Sequence, residues 1–197
     1  MARSGPELGG AGALPLVLAS RSPQRRAILE RLGVRFTVRA SDAPELESGE
    51  PGAIARENAL RKARAARLPG RAEAVLGCDT VVALDGALYG KPGGEGEARA
   101  TLRALSGATH EVLSGLALLL PGEERTALAR TEVSFRRLSE AQIDWYLATG
   151  EWRDRAGGYA IQGAGAALVR AVQGDYENVV GLPLASLLEL YPELLGG

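Results

Sequence analysis

The sequence predicts an α/β domain built on a mixed sheet with flanking helices, and three observations carry that prediction. Residues 16–40 read as strand, helix, strand. Residues 110–135 hold two long apolar segments that pair as antiparallel strands around Pro121-Gly122. Of the 197 residues, 46% are hydrophobic, enough for a core without disulfide or metal staples.

The elements follow in order. Residues 1–14 are rich in glycine and alanine and read as a flexible leader, and 15–197 as a single domain. Leu16–Ala19 is a short apolar strand, and Ser20–Ser22 a tight loop. Ser22 caps a helix over Pro23–Leu32, with proline at its first position and Gly33 beyond its end. That helix places Ile28, Leu29 and Leu32 on one face. Arg35–Ala40 alternates Phe36 and Val38 with polar neighbours, the pattern of a half-buried strand. Residues 41–52 are a polar loop, and Ala53–Arg67 is a helix packed through Ile54, Leu60 and its alanines.

Val75–Leu84 reads as a strand pair or one bent strand, interrupted at Gly77–Asp79, and Asp85-Gly86 signals a hairpin. A loop over Gly90–Gly94 leads into a helix from Glu95 to Leu105, stopped by Ser106-Gly107. His110–Leu120 and Thr126–Phe135 are the long strands. Ser139 to Gln142 form a capping box, opening a helix that ends at Thr149-Gly150. Ala156–Gly165 is a Gly-rich turn around Tyr159 and Gln162, Ala166–Val172 a strand, and Pro183–Leu195 a terminal helix.

Composition excludes several classes of function. Basic and acidic residues number 23 and 24, so the chain is neither a nucleic-acid coat nor a basic membrane-surface binder. One cysteine, Cys78, and one histidine, His110, leave no disulfide framework and no Cys/His zinc site. The longest apolar run, 116–120, is far short of the roughly 20 residues of a membrane span. No stretch at the start is apolar enough for a signal peptide, and the expectation is a soluble cytoplasmic protein. Of the 23 basic residues only Lys62 and Lys91 are lysine. In an arginine-rich background, a retained lysine marks a place where a compact, mobile ammonium is needed.

Three loops carry charge that the local fold does not require. In Ser20-Arg21-Ser22-Pro23-Gln24-Arg25-Arg26, two hydroxyls and the amides of a helix N-terminus make an anion site, over which Arg25 or Arg26 can close. Arginines in a first helical turn oppose the helix dipole, so their placement is locally unfavourable. The second loop, Gly77-Cys78-Asp79-Thr80, sets an aspartate in an apolar run, where burial without a partner is costly. The third, Gly90-Lys91-Pro92, lies across the hairpin and can bring Lys91 back beside Asp79. Glu45 is either a second carboxylate for a metal or a solvated loop residue, and Lys62 belongs to a helix face. His110 and Cys78 read as structural, and Trp145, Trp152 and Tyr159 as core or rim aromatics, one of which can stack on a base. Gln162 offers the donor and acceptor that a nucleobase edge needs, and that a turn can equally use.

Six segments in order resemble the Maf family of nucleoside triphosphate pyrophosphatases. They are 18–26 (LASRSPQRR), 77–82 (GCDTVV), 90–92 (GKP), 105–107 (LSG), 154–163 (DRAGGYAIQG) and 178–183 (NVVGLP), and the likeness spans Leu16 to Leu188. The resemblance implies an elongated inosine triphosphate pyrophosphatase-like fold with a cleft between two lobes. It also implies hydrolysis of a nucleoside triphosphate to monophosphate and pyrophosphate with a divalent cation, Mg²⁺ or Mn²⁺, in a house-cleaning role. The family's catalytic aspartate maps onto Asp79, and its other site residues map onto Ser20, Arg25, Glu45, Lys62 and Lys91. Asp79 and Glu45 would hold the metal; Ser20, Ser22 and Arg25 would bind phosphate. Base choice is tuned at Gln24, Thr80 and Gln162. Thr80 and Gln162 fit the dTTP/UTP branch; Gln24 departs from it, since arginine is usual there, and Arg155 replaces a usual lysine. The family also implies a homodimer. Two other readings stay open: a nucleotide-binding regulator of septum formation without turnover, and a methyl-GTP or modified-nucleotide pyrophosphatase.

Overall fold

The computed structural model describes residues 14–196, so the leader over 1–13 and Gly197 lie outside the described residues. Seven strands form one sheet. β1 (Leu16–Leu18) runs parallel to both β2 (Phe36–Val38) and β3 (Ala74–Leu84). β3 then pairs antiparallel with β5 (Thr109–Leu120), β5 with β6 (Glu123–Phe135), and β6 with β7 (Val169–Gln173). The short β4 (Ala87–Tyr89) folds back on β3 through Asp85 and Gly86, both at positive φ as a two-residue hairpin requires.

Helix α1 (Pro23–Arg31) is capped by Ser22, α3 spans Glu95–Leu105, and α4 (Glu140–Thr149) opens with the Ser139/Gln142 capping box. Helix α2 begins two residues earlier than its alanine pattern implies, at Pro51, because the Glu50 carboxylate accepts the amides of Gly52 and Ala53. After β7, α5 (Tyr176–Val180) is capped by Asp175. Helix α6 covers only Leu184–Leu190, since Pro192 ends the predicted terminal helix and 192–195 close as a 3₁₀ turn. The strand expected at 166–172 starts at Val169, after a 3₁₀ turn over Ala164–Leu168. Val38, expected to be half-buried, is 48% exposed because β2 is an edge strand.

The clearest departure is β3 itself. It runs unbroken for 11 residues, with no interruption at Gly77–Asp79. Gly77 is there for packing: a Cβ on it would stand 2.1 Å from the Ala59 carbonyl oxygen of α2, and one on Gly115 of β5 would stand 2.2 Å from that of Ala55. Helix α2 therefore lies on this face at near backbone contact, through Ala55, Ala59 and Ala63.

The opposite face carries two apolar cores. One joins Leu18, Ile28, Leu76, Cys78, Leu116 and Leu187 under α1 and α6. The other joins Val82, Leu102, Val112, Phe135, Tyr146 and Tyr159 under α3 and α4. Between them, along β3 and β5, the hydroxyls of Thr80 and Ser114 meet at 2.8 Å. No helix among the described residues is long and apolar enough to cross a membrane.

Candidate active site

Both β1 and β4 attach to the same edge of β3, the one opposite β5. β1 reaches Leu76 and β4 begins at Val82, so residues 77–81 have no ladder partner on that edge. The result is a notch in that edge, at the carboxyl end of β1, the place where open α/β sheets bind ligands.

The notch is lined from both faces of the sheet, because successive side chains of a strand alternate. Asp79 points to the α2 side and is 6% exposed. Its Oδ1 accepts from Lys62 Nζ at 2.5 Å, and its Oδ2 from Asn58 Nδ2 at 3.3 Å. Lys62 Nζ also meets Glu45 Oε1 at 2.8 Å. One ammonium thus bridges the strand carboxylate and the carboxylate of the 41–50 loop. Lys62, expected on a helix face, is there, but that face is turned into the site.

Thr80 points the other way, to the end of α1. Its Oγ1 accepts from the Arg25 guanidinium at 3.1 Å. Arg25 also donates to Ser20 Oγ at 3.1 Å and to the Gly181 carbonyl at 2.8 Å. It is 9% exposed and makes no ion pair among the described residues. A buried cation held by neutral oxygens, with guanidinium hydrogens to spare, has the chemistry to receive an anion. Arg26 instead points outward and pairs with Glu30. Ser22 Oγ accepts the Arg25 amide as helix cap and donates to Gln24 Oε1 at 3.1 Å.

Lys91 is exposed, and no hydrogen bond or ion pair ties it to Asp79. Lys91 follows two residues after the end of β4, whose last ladder pair, Tyr89 with Val82, stands at the border of the notch. Gln162 is exposed in the turn after the Ala156–Gly158 3₁₀ segment, with no hydrogen bond to the other site residues. Cys78 is buried, its thiol pushed up by desolvation and donating to the Gly181 carbonyl, which suits its structural reading. His110 is buried against Phe135 and Tyr159, and desolvation lowers it to about 4. Trp152 and Tyr159 are core residues, and Trp145 is half exposed.

Two residues at the site gave no sequence signal. Asn58 reads as one more polar residue on a charged helix, and only its position one turn before Lys62 could have marked it. Ser114 is a lone hydroxyl in an apolar strand, and its pairing with Thr80 depends on a register that the sequence leaves open.

No group of three or more His, Cys, Asp or Glu side chains among the described residues could cage a metal. The two carboxylates that do converge, Asp79 and Glu45, already flank a cation. One or two carboxylates completed by phosphate oxygens and water is the set that Mg²⁺ usually takes. The residues fit an ion shared with a phosphate ligand.

The family described as Maf-like protein matches residues 15–194. The dTTP/UTP pyrophosphatase of Symbiobacterium thermophilum is 43% identical over 189 residues, covering 92% of this chain and 97% of its own. That of Deinococcus radiodurans is 45% identical over 176 residues, covering 89% and 90%. That of Anaeromyxobacter dehalogenans strain 2CP-C is 49% identical over 181 residues, covering 89% and 91%. Among solved structures, the Staphylococcus aureus Ham1 protein aligns at a TM-score of 0.43 and 16% identity, over 61% of this chain and 71% of its own.

Proposed function

The chain belongs to the Maf family, and from that premise we propose that it is a nucleoside triphosphate pyrophosphatase acting on dTTP and UTP. It adds water at the α-phosphorus, breaks the bond to the β-phosphate, and yields a nucleoside monophosphate and pyrophosphate. The observation that carries the reading within this chain is Arg25: a buried guanidinium without a carboxylate, one residue across the strand from a carboxylate held by lysine.

The roles follow from that arrangement. Arg25 and the Ser20 hydroxyl bind phosphate oxygens, and Lys91 closes from the rim onto the leaving pyrophosphate. Asp79 orients the attacking water and takes its proton. Lys62 stabilises the negative charge gathered between Asp79, Glu45 and the phosphates. A divalent cation held by Asp79 and Glu45 would neutralise phosphate charge when bound. Thr80, Gln24 and Gln162 face the nucleoside and choose the base. Residues 15–197 act as one unit, and a paired assembly in the cytoplasm belongs to the same reading.

The test is pyrophosphate release from dTTP, UTP, CTP, methyl-GTP and ITP with Mg²⁺ or Mn²⁺, beside an Asp79→Asn variant. Release from dTTP and UTP that vanishes in the variant is expected. Nucleotide binding without release by the wild type would refute the assignment.

A further inference from the structure

We propose that Asn58 is a positioning residue for this reaction: it fixes the carboxylate of Asp79 and, through the backbone of Leu46, the loop that delivers Glu45. The inference rests on the pyrophosphatase reading for what Asp79 and Glu45 do, and on geometry for how Asn58 holds them.

Asn58 is 2% exposed, midway along α2. Its Oδ1 accepts the Leu46 amide at 2.7 Å, and its Nδ2 donates both to the Leu46 carbonyl at 3.1 Å and to Asp79 Oδ2 at 3.3 Å. Those two bonds use both amide hydrogens. The assignment of oxygen and nitrogen is forced. A flipped carboxamide would set nitrogen against an N–H, and oxygen against a carbonyl and a carboxylate, losing all three bonds at once.

The spacing gives Asn58 its reach. It stands four residues before Lys62, so both side chains leave the same face of α2 one turn apart. They take the two oxygens of one carboxylate, Lys62 at Oδ1 and Asn58 at Oδ2. Lys62 supplies charge but turns on a flexible stem. Asn58 has a short stem and three bonds, so it sets the plane of the carboxyl group. Leu46 follows Glu45 in the chain, and with both its backbone groups tied to Asn58, Glu45 is held where it meets Lys62. The other side-chain ties from α2 to this part of the loop are the 2.8 Å ion pair of Lys62 with Glu45 itself and the long 3.4 Å bond from Arg61 to the Pro44 carbonyl.

The experiment is Asn58→Leu, which keeps the branched four-atom side chain on the helix and removes its three hydrogen bonds, measured on dTTP hydrolysis beside wild type, Glu45→Gln and the double variant. Loss of an orienting partner is expected to lower kcat by about 10- to 100-fold. KM should stay within about threefold, because the phosphate ligands Arg25 and Ser20 lie on the other face of the strand. The double variant should lose less than the product of the single losses, since Asn58 acts partly through Glu45. Asn58→Gln, which keeps the carboxamide, should recover part of kcat; a variant that fails to recover while matching wild type in thermal unfolding overturns the proposal. So do wild-type kcat in Asn58→Leu, and losses that multiply with those of Glu45→Gln. Wild type without pyrophosphate release is a different failure: it removes the reaction, and the proposal with it.

Discussion

A methyl group added at Gly77 tests how fold and chemistry are joined. Gly77 lies in β3 at a φ that any residue adopts, so Gly77→Ala carries no backbone penalty and gains strand propensity. Its cost is steric. The new Cβ would stand 2.1 Å from the Ala59 carbonyl oxygen and 2.9 Å from the Ala63 amide nitrogen and Cβ, against 3.4 Å for ordinary contact. None of those atoms ends a flexible side chain, so α2 must retreat by more than an ångström or the strand must bend. Overpacking of a core costs about 1–3 kcal/mol, and a clash of backbone against backbone belongs at the top of that range. The same retreat moves Lys62 and Asn58 away from Asp79, where the lysine contact is 2.5 Å. A displacement of about 1 Å can lower a rate roughly 100-fold. Urea unfolding and kcat on dTTP measure the two losses. Gly96→Ala in α3 is the control: nothing lies within 4 Å of its Cβ, and alanine should stabilise the helix by about 0.5–1 kcal/mol. Gly77→Ala within 0.5 kcal/mol of wild type and fully active would show that α2 does not set the site.

Other predictions follow from the same structure. Arg25→Met should weaken nucleotide binding, read by titration calorimetry, while Asp79→Asn should bind nucleotide and release no pyrophosphate. Lys91→Ala should lower kcat/KM at least tenfold, and Arg103→Ala, which loses only an exposed pair with Glu140, should be indistinguishable from wild type. His110 is held neutral at about 4 against an ordinary 6.5, so between those values the unfolded chain binds a proton that the folded chain refuses. Stability should therefore be lost as pH falls from 6.5 toward 4, by about 3 kcal/mol in all, and His110→Phe should remove that slope.

What the sequence disclosed was mostly local. Ser22, the Ser139/Gln142 box and Asp85-Gly86 act through hydrogen bonds or φ values within a few residues, so their elements stand where expected. Two lysines among 23 basic residues drew notice to Lys62 and Lys91, and Lys62 lies in the site. What was hidden depends on distant partners. Gly77 reads as a strand break because a sequence does not show the helix that will lie across it. Asn58 and Ser114 have no local oddity; their meaning comes from Leu46, Asp79 and Thr80, brought up by tertiary packing. The end of α6 was different, since a proline at 192 stood in plain view and should have stopped the helix.

Asp79 and Thr80 are neighbours in the chain, yet the alternation of β3 sends them to opposite sides of the sheet. The Asp79 carboxylate is set by α2, and its neighbour by α1 and β5, so the two environments are inherited from different packings. Under the proposed roles, a change near Thr80, Gln24 or Ser114 would retune which nucleoside fits without moving the groups assigned to the water. A change under α2 would alter the rate and leave selectivity alone. Under those roles the strand is a partition, with choice of substrate on one face and chemistry on the other.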